Sequence, residues 1–339
     1  MHSEAEKLLP WFRSTLQWGE PRFDGPMTGG NSNLTWRFSS GEKSCVVRTV
    51  PAATISPTAH LGIEREHTVL KAIQGQVRAP QILGWSDGEK TLGRPFLAVE
   101  CIDGVSITDT LPEAYARDPS AASMLGEELI DQLAAIHSVD LEASKLIRIG
   151  RPEKFLERQV VRWLKIRSES KVRELPAIEA LGRWLLANEP PKAPPALVHG
   201  DYHLDNTLAS RFAPEILAVI DWEMATVGDP YTDLGLALMF WGETRTAKPP
   251  AFAHLQAISR MAGVVGRQTL AERWATKTGR GLEHLDYYLA YAFWRLAAIV
   301  EGAYCLYVEG KVDSDYARDL EFNVPALLAE AEQASRGNW

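Results

Sequence analysis

Apolar and polar positions recur with two different periods along the chain. Leu8, Leu9, Phe12 and Leu16 stand at helical spacing and predict a short opening helix within residues 4–18. From Leu34 the period drops to two. Leu34-Thr35-Trp36-Arg37-Phe38 reads as a strand, Ser39–Lys43 as a turn, and Cys45-Val46-Val47-Arg48 as the returning strand of a hairpin. Helical spacing resumes over 63–73, where Ile63, His67, Leu70 and Ile73 share a face. Two more strands are expected at 80–85 and 96–101. The first hundred residues therefore read as α+β.

Asp103-Gly104 marks a turn, and beyond it the pattern is mainly helical. Leu125, Leu129, Leu133 and Ile136 predict a helix over 124–138, and another is expected at 176–186. The Pro-rich stretch 190–195 forces an extended entry into Ala196-Leu197-Val198. A further strand is expected over Ile216–Ile220, then helices at 231–241, 252–275 and 284–308.

Composition narrows the class. The chain has 339 residues, 45% apolar and 24% charged, the mix of an ordinary globular protein of about two domains. This excludes disorder, collagen and coiled coil as the main theme. The net charge of −8 argues against a nucleic-acid binder, which needs clustered positive charge. Cys45, Cys101 and Cys305 are odd in number and far apart, so neither a disulfide framework nor a zinc site is expected, and free thiols suit a reducing compartment. The opening residues MHSEAEKLLPWF lack the apolar core of a signal peptide. Asp286, Arg295 and Glu301 interrupt the apolar run 285–308, which reads as a buried helix rather than a membrane span. The expected location is the cytoplasm, with no membrane and no nucleic-acid partner.

Three segments carry chemistry through their order. Thr28-Gly29-Gly30-Asn31-Ser32-Asn33 lies between strands, where glycines let backbone N–H groups approach phosphate oxygens. Alone it is as good a plain hairpin turn. His199-Gly200-Asp201-Tyr202-His203-Leu204-Asp205-Asn206 has an Asp five residues before an Asn and a His two before that Asp, the spacing of a kinase catalytic loop. One carboxylate orients an attacking hydroxyl, and a neutral amide oxygen a short loop away helps hold Mg²⁺. Ile220-Asp221-Trp222-Glu223 follows an apolar strand, and an Asp there can chelate the ion that bridges nucleotide phosphates.

These segments, with Gly228-Asp229-Pro230 and Asp233-Leu234, resemble the aminoglycoside phosphotransferase-like kinases. The branch most similar is that of the kinase-like domains linked to acyl-CoA dehydrogenases. That likeness rests on Gly29–Asn33, Val47-Arg48, Arg65-Glu66, Val69-Leu70, Val99–Gly104, Glu157-Arg158-Gln159, Arg162-Trp163 and Phe293-Trp294-Arg295, and spans about 24–310. It implies a bilobal protein-kinase-like fold, with a small β-rich nucleotide-binding N-lobe over 1–103 and a helical catalytic and acceptor-binding C-lobe over 104–339. ATP and Mg²⁺ are the implied cofactors. Asp201 takes the catalytic position, and Asn206 and Asp221 those of the metal ligands. Nucleotide contacts fall to Gly29, Gly30, Asn31, Ser32, Arg48 and its helix partner Glu66, with the backbone of Glu100 and Ile102 at the adenine. His199 braces the loop; Asp229 and Asp233 are structural. Arg48 stands where the family usually has Lys, and the metal-binding motif lacks the Gly of Asp-Phe-Gly.

The acceptor is a small-molecule hydroxyl. Residues 145–173 hold ten Lys or Arg and three Glu, and the remainder of 104–339 is acidic. Arg158, Arg162 and Lys165 fall on one helical face, which is either a solvated surface or a site for an anion. With Trp294 and Arg295 they are the candidate acceptor contacts, and a hydroxyacyl-CoA or another anionic metabolite is the preferred acceptor. An antibiotic O-phosphotransferase and a nucleotide-binding pseudokinase are the alternatives. The sequence does not specify an oligomeric state.

Overall fold

The computed structural model describes residues 2–27, 33–52, 60–169, 171–245 and 256–339. The chain opens with α1 (His2–Ala5), a short 3₁₀ turn and α2 (Leu9–Thr15). Five strands follow, interrupted by one helix: β1 (Arg22–Pro26), β2 (Leu34–Ser40), β3 (Lys43–Thr49), α3 (His60–Ile73), β4 (Ile82–Ser86) and β5 (Phe96–Glu100). They form one antiparallel sheet in the order β1-β2-β3-β5-β4. The hairpin expected from sequence is β2–β3, with Thr35 opposite Arg48 and Phe38 opposite Cys45.

Strand alternation decides where Arg48 points. Cys45 and Val47 are buried on one sheet face, together with Trp36, Phe38 and Phe96, against Leu8, Phe12 and Trp18 of the opening segment. Phe12 contacts Phe38 at 4.6 Å and stacks on Trp18 at 5.0 Å. Residues one step out of phase, Val46 and Arg48, must then face the opposite side, where α3 packs through Ile63, Val69, Leu70 and Ile73. Burying one Phe-sized side chain contributes roughly 1.5–3 kcal/mol, so this aromatic layer holds the register that aims Arg48.

The larger lobe holds α4 (Ala121–His137), α5 (Phe155–Glu169), α6 (Pro176–Ala187), β6 (Ala196–Val198), β7 (Thr207–Ala209), β8 (Ile216–Val219), β9 (Thr226–Gly228), α7 (Tyr231–Phe240), α8 (Arg267–Thr278), α9 (Leu285–Val308) and α10 (Asp315–Ala334). Two short antiparallel ribbons, β6–β9 and β7–β8, flank the loops that carry the candidate chemistry. Trp222, Trp241, Trp274 and Trp294 are fully buried in this lobe. Among the described residues α9 alone is long and apolar enough to cross a membrane; 56% of its apolar window is covered by the rest of the fold.

The structure departs from the sequence periodicity at several elements, among them β7 and β9, each only three residues long. β1 is the strand expected before the glycine-rich segment, but Gly25 and Pro26 weaken its alternation, so the pattern sets no bounds for it; a register shift between Phe23 and Gly25 marks a bulge. A continuous helix over 252–275 is not formed. Residues 246–255 lie outside the described residues, a short 3₁₀ segment spans Ala257–Arg260, and the α-helix starts only at Arg267, after Gly263 and Gly266. α10 was not foreseen, although Ser314 caps it by accepting from the Ala317 N–H at 3.1 Å.

Candidate active site

His199–Asn206 leaves the end of β6 and turns through a 3₁₀ segment (Leu204–Asn206) into β7. Two anchors fix its start. The Asp233 carboxylate, on α7, accepts the His199 N–H at 2.6 Å and the Gly200 N–H at 2.9 Å. His199 Nδ1 accepts the Asp201 N–H at 3.3 Å, so its Nε2 carries the proton and donates to the Ile220 carbonyl at 2.9 Å. Gly200 sits at φ +88°, and a Cβ there would lie 2.7 Å from the Met224 carbonyl oxygen. Backbone strain and lack of space both demand glycine at this turn.

Asp201 and Asn206 meet directly. The Asn206 amide nitrogen donates to the Asp201 carbonyl at 2.8 Å and to its carboxylate at 3.0 Å. That leaves the Asn206 side-chain oxygen facing away from Asp201. The Ile220 N–H donates to the Asn206 carbonyl at 2.9 Å, which ties the loop to the segment carrying Asp221. Asp201 is half exposed, with His203 Nε2 at 3.6 Å from its carboxylate. Desolvation pushes its carboxyl upward, but His203, His199 and Arg295 outweigh this and hold it at about 2. His203 is shifted reciprocally: burial lowers it, while Asp201 and Asp205 raise it further.

Asp221 stands at φ +68°, left-handed backbone that a non-glycine residue rarely adopts. Its carboxylate accepts from Arg48 at 2.6 Å. Arg48 Nε in turn lies 3.2 Å from buried Glu66 on α3. Burial raises the Glu66 carboxyl and Arg48 pulls it back; Arg48 itself is raised by its two carboxylate neighbours against desolvation. A strand, a helix and a loop from opposite lobes thus converge on Arg48, Glu66 and Asp221.

The remaining sequence-derived positions divide. Gly29, Gly30, Asn31 and Ser32 lie outside the described residues. Glu100 ends β5, with its N–H donated to Gln81, and Ile102 follows in the segment joining the lobes. Arg295 donates to the Gly200 carbonyl at 3.1 and 3.2 Å, so it stands at the loop. Trp294 does not: it is fully buried, its indole N–H on the Ile178 carbonyl, and α9 turns it into the core rather than toward an acceptor. Arg158 and Arg162 are exposed on α5 with local contacts, Arg158 to the Arg151 carbonyl and Arg162 over Trp163. The basic ridge is also less cationic than its composition. Arg167 and Arg173 belong to it, and both pair with Glu301 of α9, which is 2% exposed.

Glu223 joins the site although the motif spacing assigns it no role. Its carboxylate accepts from Asn33 at the end of the glycine-rich segment, and its carbonyl from Arg65 of α3 at 3.1 Å. The signal was present as an acidic residue two positions after Asp221. Asn206 and Asp221 offer an amide and a carboxylate oxygen, the hard donors that suit Mg²⁺ when phosphate oxygens and water complete its shell. Among the described residues no cluster of three or more His, Cys, Asp or Glu forms a metal cage.

The model of the phosphotransferase enzyme family (APH) matches residues 26–264. Acyl-CoA dehydrogenase family member 10 of Mus musculus is 31% identical over 296 residues, covering 85% of this chain and 27% of that protein. Acyl-CoA dehydrogenase family member 11 of Rattus norvegicus is 29% identical, covering 91% of this chain and 39% of that protein. The chain therefore spans well under half the length of these relatives. Among solved structures, an aminoglycoside phosphotransferase-like protein from Ralstonia eutropha superposes with a TM-score of 0.83 at 27% identity over 98% of both chains. The GDP complex of aminoglycoside 2'-phosphotransferase-IIIa gives 0.63 at 14% identity, over 100% of this chain and 99% of that one. Macrolide 2'-phosphotransferase MphH from Brachybacterium faecium gives 0.59 at 19%, over 96% and 98%.

Proposed function

Since the chain belongs to the phosphotransferase enzyme family, we propose that it moves the γ-phosphoryl group of ATP to a hydroxyl of a small anionic metabolite, with a hydroxyacyl-CoA as the preferred acceptor. The observation that carries the transfer chemistry is the joining of Asp201 to Asn206 at 2.8–3.0 Å together with Arg48 bridging Glu66 and Asp221.

In this reading Asp201 accepts a hydrogen bond from the acceptor hydroxyl and aligns its oxygen for in-line attack. Its low pKa keeps it ionised throughout the working range, so its main role is orientation, with proton uptake following bond formation. Arg48 holds phosphate oxygens in place of the usual Lys, and its planar fork suits two of them. Asn206 and Asp221 would hold Mg²⁺, which neutralises charge on the transferring phosphates when bound. Arg295 places positive charge beside Asp201, and His203, in which burial is outweighed and the pKa raised by Asp201 and Asp205, lies against the same carboxylate. The similarity to acyl-CoA dehydrogenase family members 10 and 11 supports an anionic acyl-CoA-like acceptor over a polycationic aminoglycoside.

The test is a screen of hydroxyacyl-CoAs, hydroxy acids and aminoglycoside and macrolide antibiotics for ATP-dependent gain of one phosphoryl mass, with Asp201→Ala as control. A hydroxyacyl-CoA product absent from the control supports the reading. Turnover on an antibiotic alone would replace the acceptor, and no turnover on a panel of hydroxylated anions would remove the preferred class.

A further inference from the structure

A cavity of about 530 Å³ opens between the connector 191–194, the start of α7 and the α8–α9 turn. It lies at the entry end of β6, whereas the catalytic loop leaves the other end. Its charged lining is Lys192 and Arg280 against Glu283, one positive charge in excess in a chain of net charge −8. Arg280 is held in place by donating to the Pro194 carbonyl at 2.9 Å. Tyr231 and Tyr288 form a wall, their rings stacked at 4.9 Å. Both grip Asp229: the Tyr288 hydroxyl donates to its carboxylate at 2.8 Å and the Tyr231 N–H at 3.0 Å.

From that wall a chain of buried contacts reaches the loop. Tyr231 meets Trp274 edge-on at 5.0 Å. The Trp274 indole N–H donates to His137 Nδ1 at 3.0 Å. His137 therefore carries its proton on Nε2, which faces the Asp233 carboxylate at 3.5 Å. Asp233 is the acceptor for the His199 and Gly200 N–H groups. Trp274, His137 and Asp233 are all buried, so a shift at one end cannot be absorbed by solvent.

We propose that this cavity is a regulatory site for a small anion with a flat apolar body, and that its occupancy is transmitted to the catalytic loop through Tyr231, Trp274, His137 and Asp233. The ring packs against the Pro and Tyr wall, and the charge lies between Lys192 and Arg280. The proposal is independent of which acceptor the enzyme uses.

The experiment uses 4-nitrophenyl phosphate as probe, with inorganic phosphate (charge without ring) and 4-nitrophenol (ring without charge) as separate arms. Titration calorimetry is run with the catalytic cleft held by ADP and Mg²⁺. The aryl phosphate should bind at least about tenfold more tightly than either fragment, and Lys192→Glu with Arg280→Glu should weaken it by about tenfold or more. Hydrogen exchange at the His199 and Gly200 amides should change on binding. Trp274→Phe, or His137→Gln if the first proves unstable, should keep the binding and lose the exchange response. Absence of binding, displacement by ADP, or indifference to the double charge reversal overturns the site. Binding without any exchange change at 199–200 overturns the coupling.

Discussion

Asp233→Asn tests the loop anchor without knowledge of the acceptor. The native carboxylate presents one oxygen to the His199 N–H at 2.6 Å and the other to the Gly200 N–H at 2.9 Å, in a site 1% exposed. An Asn has one oxygen and one NH₂. Whichever way the amide turns, one backbone N–H confronts another donor. A buried N–H left unsatisfied costs roughly 1–3 kcal/mol, and the other N–H exchanges a charged acceptor for a neutral one at roughly 1 kcal/mol, so the variant should lose about 2–4 kcal/mol. Urea denaturation followed by fluorescence should show the midpoint falling with the slope unchanged. The His199 and Gly200 amides should also exchange faster than their neighbours. A stability loss under about 1 kcal/mol, within the range of an ordinary surface substitution, would refute the claim that Asp233 clamps the loop.

Other expectations follow from the same geometry. Asp201→Ala should retain nucleotide affinity in calorimetry and lose phosphoryl transfer by about 10²–10⁴-fold in a stopped-time assay. Arg48→Ala leaves buried Glu66 without its cation, which should cost about 3–5 kcal/mol in chemical denaturation and weaken nucleotide binding as well. Gly126→Ala places a methyl 2.4 Å from the ring of buried Trp241, so the melting temperature should fall, by an overpacking cost of about 1–3 kcal/mol. Burial raises the Asp229 carboxyl above its ordinary 3.8, with the Tyr288 and Tyr231 hydrogen bonds opposing. The folded chain then binds that proton more tightly than the unfolded chain, so this group favours folding at low pH and loses that contribution as pH rises from 3.8 through its folded pKa. The difference between wild-type and Asp229→Asn stability, measured against pH, should show a slope of this sign in that window.

Local order in the sequence was enough to read the hairpin, the helix over 63–73 and the catalytic loop, because each depends on residues close in the chain. Strand period two already places Val47 and Arg48 on opposite faces, and the His-x-Asp spacing marks a loop before any packing is known. The ordered motifs also carried the family, since few other chemistries need an Asp, an Asn and a second Asp at those intervals. Tertiary structure alone decided what each charge meets. Arg167 and Arg173 read as part of a cationic ridge, yet both turn to the buried carboxylate of Glu301, more than 120 positions away, which offsets one of their two charges. Trp294 and Arg295 are adjacent, but a turn of α9 of about 100° sends one into the interior and the other to the Gly200 carbonyl. The joining of Arg48 to Asp221, 173 residues apart, likewise has no local signature: burial of apolar faces brings the two lobes together, and only then does a long-range pair acquire its partner.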